Sequence, residues 1–159
     1  MRLEPSIRTA ETRLLVGIRG EMSLGADRTR ELWQTLMPRR FEIENRVPDL
    51  YISMRVHTSF GPEMFAPETV FEKWAAVEVT DCAVPPAGME THELSAGRYA
   101  VFEHVGQAST FPDTMRHIFG EWLPTSGFEL DTREQFEELT EGWDPMDPQG
   151  REMVWIPIR

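Results

Sequence analysis

The spacing of apolar residues along the first half of the chain predicts a strand, a helix and two further strands. Three short runs rich in β-branched and aromatic residues predict the strands; they are residues 13–20, 50–56 and 70–79. Between the first two runs, apolar residues fall on one stripe at helical spacing from Ala26 to about Arg39. The first half therefore has the order β-α-β-β.

The second half repeats this order after a connection at residues 82–88, which contains two prolines. Residues 93–106 predict a strand that ends in glycine, and a helix follows whose apolar residues recur at helical spacing as far as Trp122. Thr110 and Asp113 have the spacing of a capping box at its start. An acidic run at 134–139 and an apolar run at 153–158, which predicts a terminal strand, complete the half.

Two ordered copies of one pattern predict an α+β protein with pseudo-twofold symmetry. We expect one domain over residues 1–159, with pseudo-repeats at about 1–81 and 89–159. Neither half can bury a sheet face and a helix stripe well alone, so the halves are expected to join their sheets and leave a cleft between the two main helices.

Composition narrows the class of protein. A chain of 159 residues buries enough surface to fold without staples, and the single Cys82 cannot form an internal disulfide. No Cys/His spacing indicates a metal site, no motif indicates a cofactor, and no GxSxG marks a hydrolase. Without a signal-peptide pattern or a long apolar segment, the chain is expected to be soluble and cytoplasmic.

The net charge of -11 argues against direct binding of nucleic acid, because that binding depends on Lys and Arg neutralising phosphates. Lys73 is the only lysine, which excludes a P-loop. The excess of acidic residues from Glu121 onward favours cationic ligands if some of these acids face a cleft; the alternative is a solvated acidic surface.

Four stretches of the second half form a recognisable series: Ala96–Gly106, Phe119–Phe128, Phe136-Glu137 and Val154–Ile158. In their order and spacing they resemble the GyrI-like effector-binding domains, which follow DNA-binding modules in AraC-type and MerR-type transcription regulators and also occur as free-standing proteins. The first half is similar only in its layout of strands and helix.

The resemblance implies duplicated βαββ units that share a curved antiparallel sheet, with multidrug-type lipophilic cations or amphipathic compounds bound between the helices. It also implies that Glu137 is the acidic residue of the cleft, with a solvated position as the alternative. Leu139 stands where the family commonly has Tyr, so ligand preference is expected to differ.

A carboxylate held among aromatic rings is costly to bury unpaired, and an arriving cation relieves that cost while also gaining attraction from the ring faces. Seven aromatic residues are candidates for the cleft wall, with ordinary core packing as the alternative for each: Tyr99, Trp155, Phe102, Phe136, Trp122, Tyr51 and Trp74.

The sequence therefore favours a free-standing binding protein over an enzyme, with a small-molecule ligand and a separate regulator or protein partner. No segment is left over for a helix-turn-helix. One alternative is a hydrolase of reactive cyclopropane-containing DNA-alkylating compounds, in which Glu137 is the general base and Glu103 or Glu152 is a second acid. Another is a protein-binding module like the relatives that inhibit a topoisomerase, which would need an exposed patch.

Overall fold

A computed structural model describes residues 3–82 and 84–159 of the chain, and within these ranges eight antiparallel strands form one curled sheet. The strands are β1 Ser6–Ala10, β2 Arg13–Met22, β3 Tyr51–Val56, β4 Phe71–Val79, β5 Glu90–Leu94, β6 Gly97–Val105, β7 Gln135–Leu139 and β8 Arg151–Pro157. Their order across the sheet is β1-β6-β8-β7-β3-β4-β2-β5.

The strand order confirms the predicted duplication. Strands β2, β3 and β4 of the first half are neighbours, β6, β7 and β8 of the second half are neighbours, and the halves meet where β3 pairs with β7. Two strands that the sequence did not predict as separate elements complete the sheet. Strand β1 of the first half pairs with β6, and β5 of the second half pairs with β2, so each half covers the other's outer edge.

The helices lie on one face of the sheet. Helix α1, Thr29–Leu36, continues as a 3₁₀ turn over Met37–Glu42, so the helix predicted for residues 26–39 is present with shifted ends. Short 3₁₀ turns also occupy Pro62–Phe65 and Ala108–Thr110. No helix among the described residues is both long and apolar enough to cross a lipid bilayer.

The second helix is interrupted. Helix α2, Phe111–His117, runs through a π-helical turn, Ile118–Trp122, into the short α3, Leu123–Thr125. The predicted capping box is wrong, because Thr110 makes no capping hydrogen bond. The chain before α2 is already wound into a 3₁₀ turn, and the Thr110 hydroxyl donates to the Gln107 carbonyl at 2.7 Å instead.

Alternation along the strands builds a different core on each face of the sheet. On the face that carries the helices, one cluster packs under α1, around Val16 and Leu36, and a second packs under α2, around Phe102 and Ile156. The opposite face carries a third cluster that includes Trp155. The space between the first two clusters is where the helices diverge, and it holds the site.

The strand predicted for residues 93–106 is divided in two. Gly97 has a φ of +141°, a value that residues with a side chain rarely adopt, and it turns the chain between β5 and β6. Strand β5 then pairs with β2, whereas β6 pairs with β8 and β1. The glycine therefore separates two strands that belong to opposite edges of the sheet.

Candidate ligand-binding site

A cavity of about 770 Å³ lies on the helix face of the sheet, between α1 and the segment formed by α2 and the π-helical turn. Both halves contribute to its wall: Phe71 comes from the first half and Phe111 from the second. This volume is within the range of sites for drug-sized molecules.

Six aromatic rings contribute to the cavity wall. Phe65 and Phe119 meet edge to face with their ring centroids 4.8 Å apart, which joins the β3–β4 connection to the π-helical turn. The wall is flexible in shape where Met22 and Met115 contribute to it. The six rings that line the cavity are Trp33, Phe65, Phe71, Phe111, Phe119 and Trp143.

The sheet side of the cavity carries four charged side chains, one on each of the adjacent strands β4, β3, β7 and β8. Lys73 pairs in register with Arg55. The register partner of Arg55 on β7 is Gln135, and Glu137 lies two residues after Gln135, on the same face. Glu152 lies two positions before the register partner of Glu137. This row of charges is therefore basic on the first half and acidic on the second. Two exposed charged residues outside the sheet, Asp27 and Arg116, also line the cavity.

The two central charges of this row neutralise each other. The Arg55 guanidinium donates two hydrogen bonds to the Glu137 carboxylate, each 2.6 Å long, and both side chains are buried. This two-point geometry is the strong form of an Arg–carboxylate pair. The predicted buried acid thus lines the cavity, but it is already paired inside the protein.

The two outer charges have no such partner. Burial lowers the pKa of Lys73 to about 8, and the charge of Arg55 acts in the same direction. Burial raises the pKa of Glu152 to about 7, and the charge of Glu137 adds to this effect. Near neutral pH, Glu152 therefore exchanges its proton readily while Lys73 remains mostly charged.

His57 lies beside the cavity in an aromatic surrounding. Its ring centroid is 4.9 Å from that of Phe71, and its buried Nε2 has no hydrogen-bond partner among the described residues. Burial, together with the charges of Arg55 and Lys73, lowers the pKa of His57 to about 4. His57 is consequently neutral at physiological pH and adds no charge to the site.

Of the predicted site residues, Glu137 lines the cavity, whereas four of the aromatic candidates lie on the opposite face of the sheet. They contact one another there: the Phe136 and Trp155 rings stack with centroids 5.3 Å apart, and Tyr99 packs edge-on against both. The Trp155 indole donates to Glu138 at 2.6 Å, so its polar atom is already satisfied. The four residues are Tyr99, Phe136, Trp155 and Trp74.

The other three aromatic candidates lie on the helix face but pack beside the cavity. Phe102 and Trp122 contact each other edge to face in the cluster under α2. Tyr51 packs against Trp33 of α1, and its hydroxyl bonds to Glu141. Sequence reasoning thus found the polar residue of the cavity but not its rings.

Sequence reasoning also missed the charged residues Arg55 and Lys73, although the strand pattern contained a signal for them. Alternate residues of a strand share a face, so Arg55 lies on the same face of β3 as Tyr51, and Lys73 lies on the same face of β4 as Phe71. Of the two candidate second acids, Glu152 lines the cavity. Glu103 lies on the other face, where it accepts a hydrogen bond from Arg151 at 3.3 Å. Among the described residues no cluster of three or more His, Cys, Asp or Glu is placed to hold a metal ion.

A ring-walled cavity between two helices, on a sheet shared by two similar halves, defines a small-molecule-binding domain. Residues 3–159 match the sequence profile of the GyrI-like small molecule binding domain, and the chain belongs to this family. The resemblance noted for the second half is thereby confirmed and extends to nearly the whole chain.

One sequence relative is a transcription regulator. The transcriptional regulator BrlR of Pseudomonas aeruginosa is 28% identical over 145 residues, which make up 91% of this chain and 51% of BrlR. This chain therefore spans about half the length of that relative.

Two solved structures share the fold. SAV2435 bound to tetraphenylphosphonium has a TM-score of 0.74 at 15% identity, over 100% of this chain and 94% of SAV2435. A hydrolase encoded by lin2189 of Listeria innocua has a TM-score of 0.62 at 13% identity, over 98% of this chain and 92% of the hydrolase. At such low identities, the likeness is one of fold.

Proposed function

We propose that this domain captures lipophilic cationic or amphipathic aromatic compounds in the cavity between its two helices. The observation that carries the proposal is the cavity itself, which has six aromatic rings above a row of buried charges. Its volume of about 770 Å³ accommodates a bulky ligand such as tetraphenylphosphonium, the compound bound to the structural neighbour SAV2435. In a regulatory context, the partner would be a separate protein that responds to the occupied domain.

The rings supply affinity without demanding one ligand shape. Trp33 and Trp143 contribute large apolar surfaces to the cavity wall, and Phe65 and Phe119 contribute two rings that contact each other. A desolvated cation held over such rings gains on the order of 2 kcal/mol. Flat ring faces together with adaptable methionines suit a broad range of ligands.

The acidic end of the charge row supplies the preference for cations. Glu137 contributes less than an unpaired carboxylate would, because Arg55 offsets its charge. Glu152 is the acid without that compensation, so a cation near β7 and β8 interacts with Glu152 and with the outer side of the Arg55–Glu137 pair. The preference should therefore strengthen as Glu152 loses its proton above about pH 7.

The test is a calorimetric titration with tetraphenylphosphonium and with triphenylphosphine oxide, a neutral compound with similar rings. We expect the cation to bind with a micromolar dissociation constant and the neutral compound to bind about tenfold more weakly. The variant Glu137→Gln leaves Arg55 as an uncompensated positive charge in the wall and should lose most of the cation affinity.

Two further variants complete this experiment. Glu103→Gln, on the other face of the sheet, is the matched control and should bind like the wild type. The double variant Arg55→Met/Glu137→Gln removes both charges of the pair. It replaces the single variant in the titration if Glu137→Gln alone does not fold. Equal binding of tetraphenylphosphonium by the wild type and by both variants of the pair would refute the proposed site.

A second candidate function, hydrolysis of a reactive cyclopropane-containing compound, is favoured by one observation. Glu152 shares the cavity with Glu137, and its pKa of about 7 suits a general acid or base. Mass spectrometry of such a compound after incubation separates the two functions. Capture leaves the mass of the compound unchanged, whereas hydrolysis adds one water and should be lost in Glu152→Gln.

A further inference from the structure

The charge row in the cavity contains two buried groups that the protein itself leaves without a direct partner. Lys73 is 6% exposed and Glu152 is 8% exposed, and both line the cavity. Within residues 3–82 and 84–159, no hydrogen bond or ion pair reaches either side chain. The Arg55–Glu137 pair lies between them and is satisfied internally.

Two buried charged groups without partners lower the stability of the domain when no ligand is bound. A buried charge without hydrogen bonds is among the most unfavourable groups in a protein interior, and removing it usually improves stability. The lowered pKa of Lys73 and the raised pKa of Glu152 both reflect this penalty. Two opposite charges kept at opposite ends of one cavity are more readily explained by a ligand than by folding.

The groups around these two charges do not satisfy them. Arg55 and Glu137, on the strands between them, are committed to each other. Asp27, an exposed residue of the cavity wall before α1, attracts Lys73 only through its charge, since its carboxylate accepts from the Thr29 backbone. Lys73 and Glu152 also attract each other, without a hydrogen bond or ion pair between them. Around Glu152, the His104 ring on β6 is held by Thr114 at 2.6 Å.

We infer that the ligand of this cavity carries two polar ends on one aromatic body: an anionic or strongly accepting group that binds Lys73, and a cationic group that binds Glu152. This inference rests on the proposed function and specifies the ligand class of the same site. A simple cation satisfies Glu152 but leaves Lys73 unpaired and repelling, and a simple anion does the converse. A zwitterionic amphiphile satisfies both groups at once.

The fold sets the approximate size of this ligand. Lys73 and Glu152 are on strands separated by three strand spacings, about 14 Å across the sheet. Glu152 is also displaced by four residues along the strand direction, about 13 Å, so the two backbones are roughly 20 Å apart. Lysine is a long side chain, so the ammonium can extend toward the carboxylate. The two polar ends of the ligand are therefore separated by the width of a fused aromatic system.

The experiment compares two dyes that differ in one charge. Rhodamine B carries a delocalised cation and a carboxylate on one aromatic body, and its ethyl ester keeps the cation but lacks the carboxylate. We expect the wild-type domain to bind rhodamine B about tenfold more tightly than the ester in calorimetric or fluorescence titrations. Lys73→Met should abolish this preference while leaving the ester's affinity equal or higher.

Two further variants complete the experiment. Glu103→Gln, on the other face of the sheet, leaves both ends of the charge row intact, so the preference for rhodamine B should persist. Glu152→Gln should weaken both dyes, since both carry the cation.

The outcomes are distinguishable. Equal binding of rhodamine B and its ester by the wild type overturns the inference, and so does a preference that survives Lys73→Met. In both cases tetraphenylphosphonium still binds and the proposed function stands. If neither dye nor tetraphenylphosphonium binds, the proposed function fails and the inference fails with it.

Discussion

At the scale of single residues, Glu152 links the site to the stability of the protein. Its carboxyl group has a pKa of about 7 in the folded state against an ordinary value of 4.5. The folded state therefore holds a proton that the unfolded state releases between these two pH values. The neutral carboxyl group therefore makes its full contribution to the unfolding free energy below about pH 4.5. This contribution is lost as the pH rises to about 7.

Glu152→Gln tests this linkage, because glutamine stays neutral at every pH. Relative to the wild type, the variant should gain nothing near pH 4 and about 3 kcal/mol of unfolding free energy above pH 7. Urea denaturation across this pH range measures the difference. Glu103→Gln, at an exposed position beside Arg151, is the control and should run parallel to the wild type. A pH-independent effect of Glu152→Gln would contradict the assignment.

At the scale of the elements, the closeness of β2 and β4 depends on one glycine. A Cβ atom built on Gly17 would lie 2.2 Å from the Ala75 carbonyl oxygen and 2.7 Å from the Ala76 Cα, both in β4. Neither backbone atom can move without breaking the pairing of the two strands. The absence of a side chain at Gly17 therefore allows β2 to lie close to the backbone of β4 at this point.

Gly17→Ala should lower the unfolding free energy by about 3 kcal/mol, at the upper end of the usual cost of overpacking. Gly20→Ala, on the same strand, is the matched control. There the added methyl group meets only the Arg28 guanidinium, at 2.8 Å, which is the mobile end of a side chain. Its effect should stay within about 0.5 kcal/mol. Similar losses in both variants, measured by denaturant unfolding, would show that the close contact is not the cause.

The strand and helix order was readable from the sequence because β2, β3 and β4 are short runs rich in apolar residues, and the helices between the strands carry apolar stripes. Strand β7 was harder, since its inward positions are Gln135 and Glu137 and the run has no apolar alternation. Strand β1 was missed because it is an exposed edge strand without an apolar face. Polar residues that face a cavity and strands at an edge both lack the pattern on which such predictions depend.

The site was predictable to a similar extent. Glu137 was proposed through the family's motif and lines the cavity, whereas four of the seven proposed rings lie on the other face of the sheet and three pack beside the cavity. Phe136 is one residue before Glu137 on β7, and Trp155 is three residues after Glu152 on β8. Residues an odd number of positions apart on a strand point to opposite faces, so both rings lie on the face away from the cavity. Only coordinates fix which of two alternating sets points toward the helices.

At the scale of the whole molecule, the two halves are mutually dependent. Each half contributes its first strand to the sheet edge of the other: β1 covers β6, and β5 covers β2. Fragments 1–81 and 89–159 should therefore be largely unfolded alone and should recover sheet structure when mixed. Circular dichroism of each fragment and of the mixture measures this. A fragment that unfolds cooperatively on its own would contradict the dependence.

The exchange of edge strands also determines how a captured molecule can leave. Because the cavity wall draws on both halves, and neither half can peel away without uncovering the other's border, subglobal opening of one repeat does not provide an exit. We therefore expect release through the open side of the cavity, past wall residues such as Phe65 and Phe119. Residence time would then depend on the rotation of these side chains and not on separation of the strands.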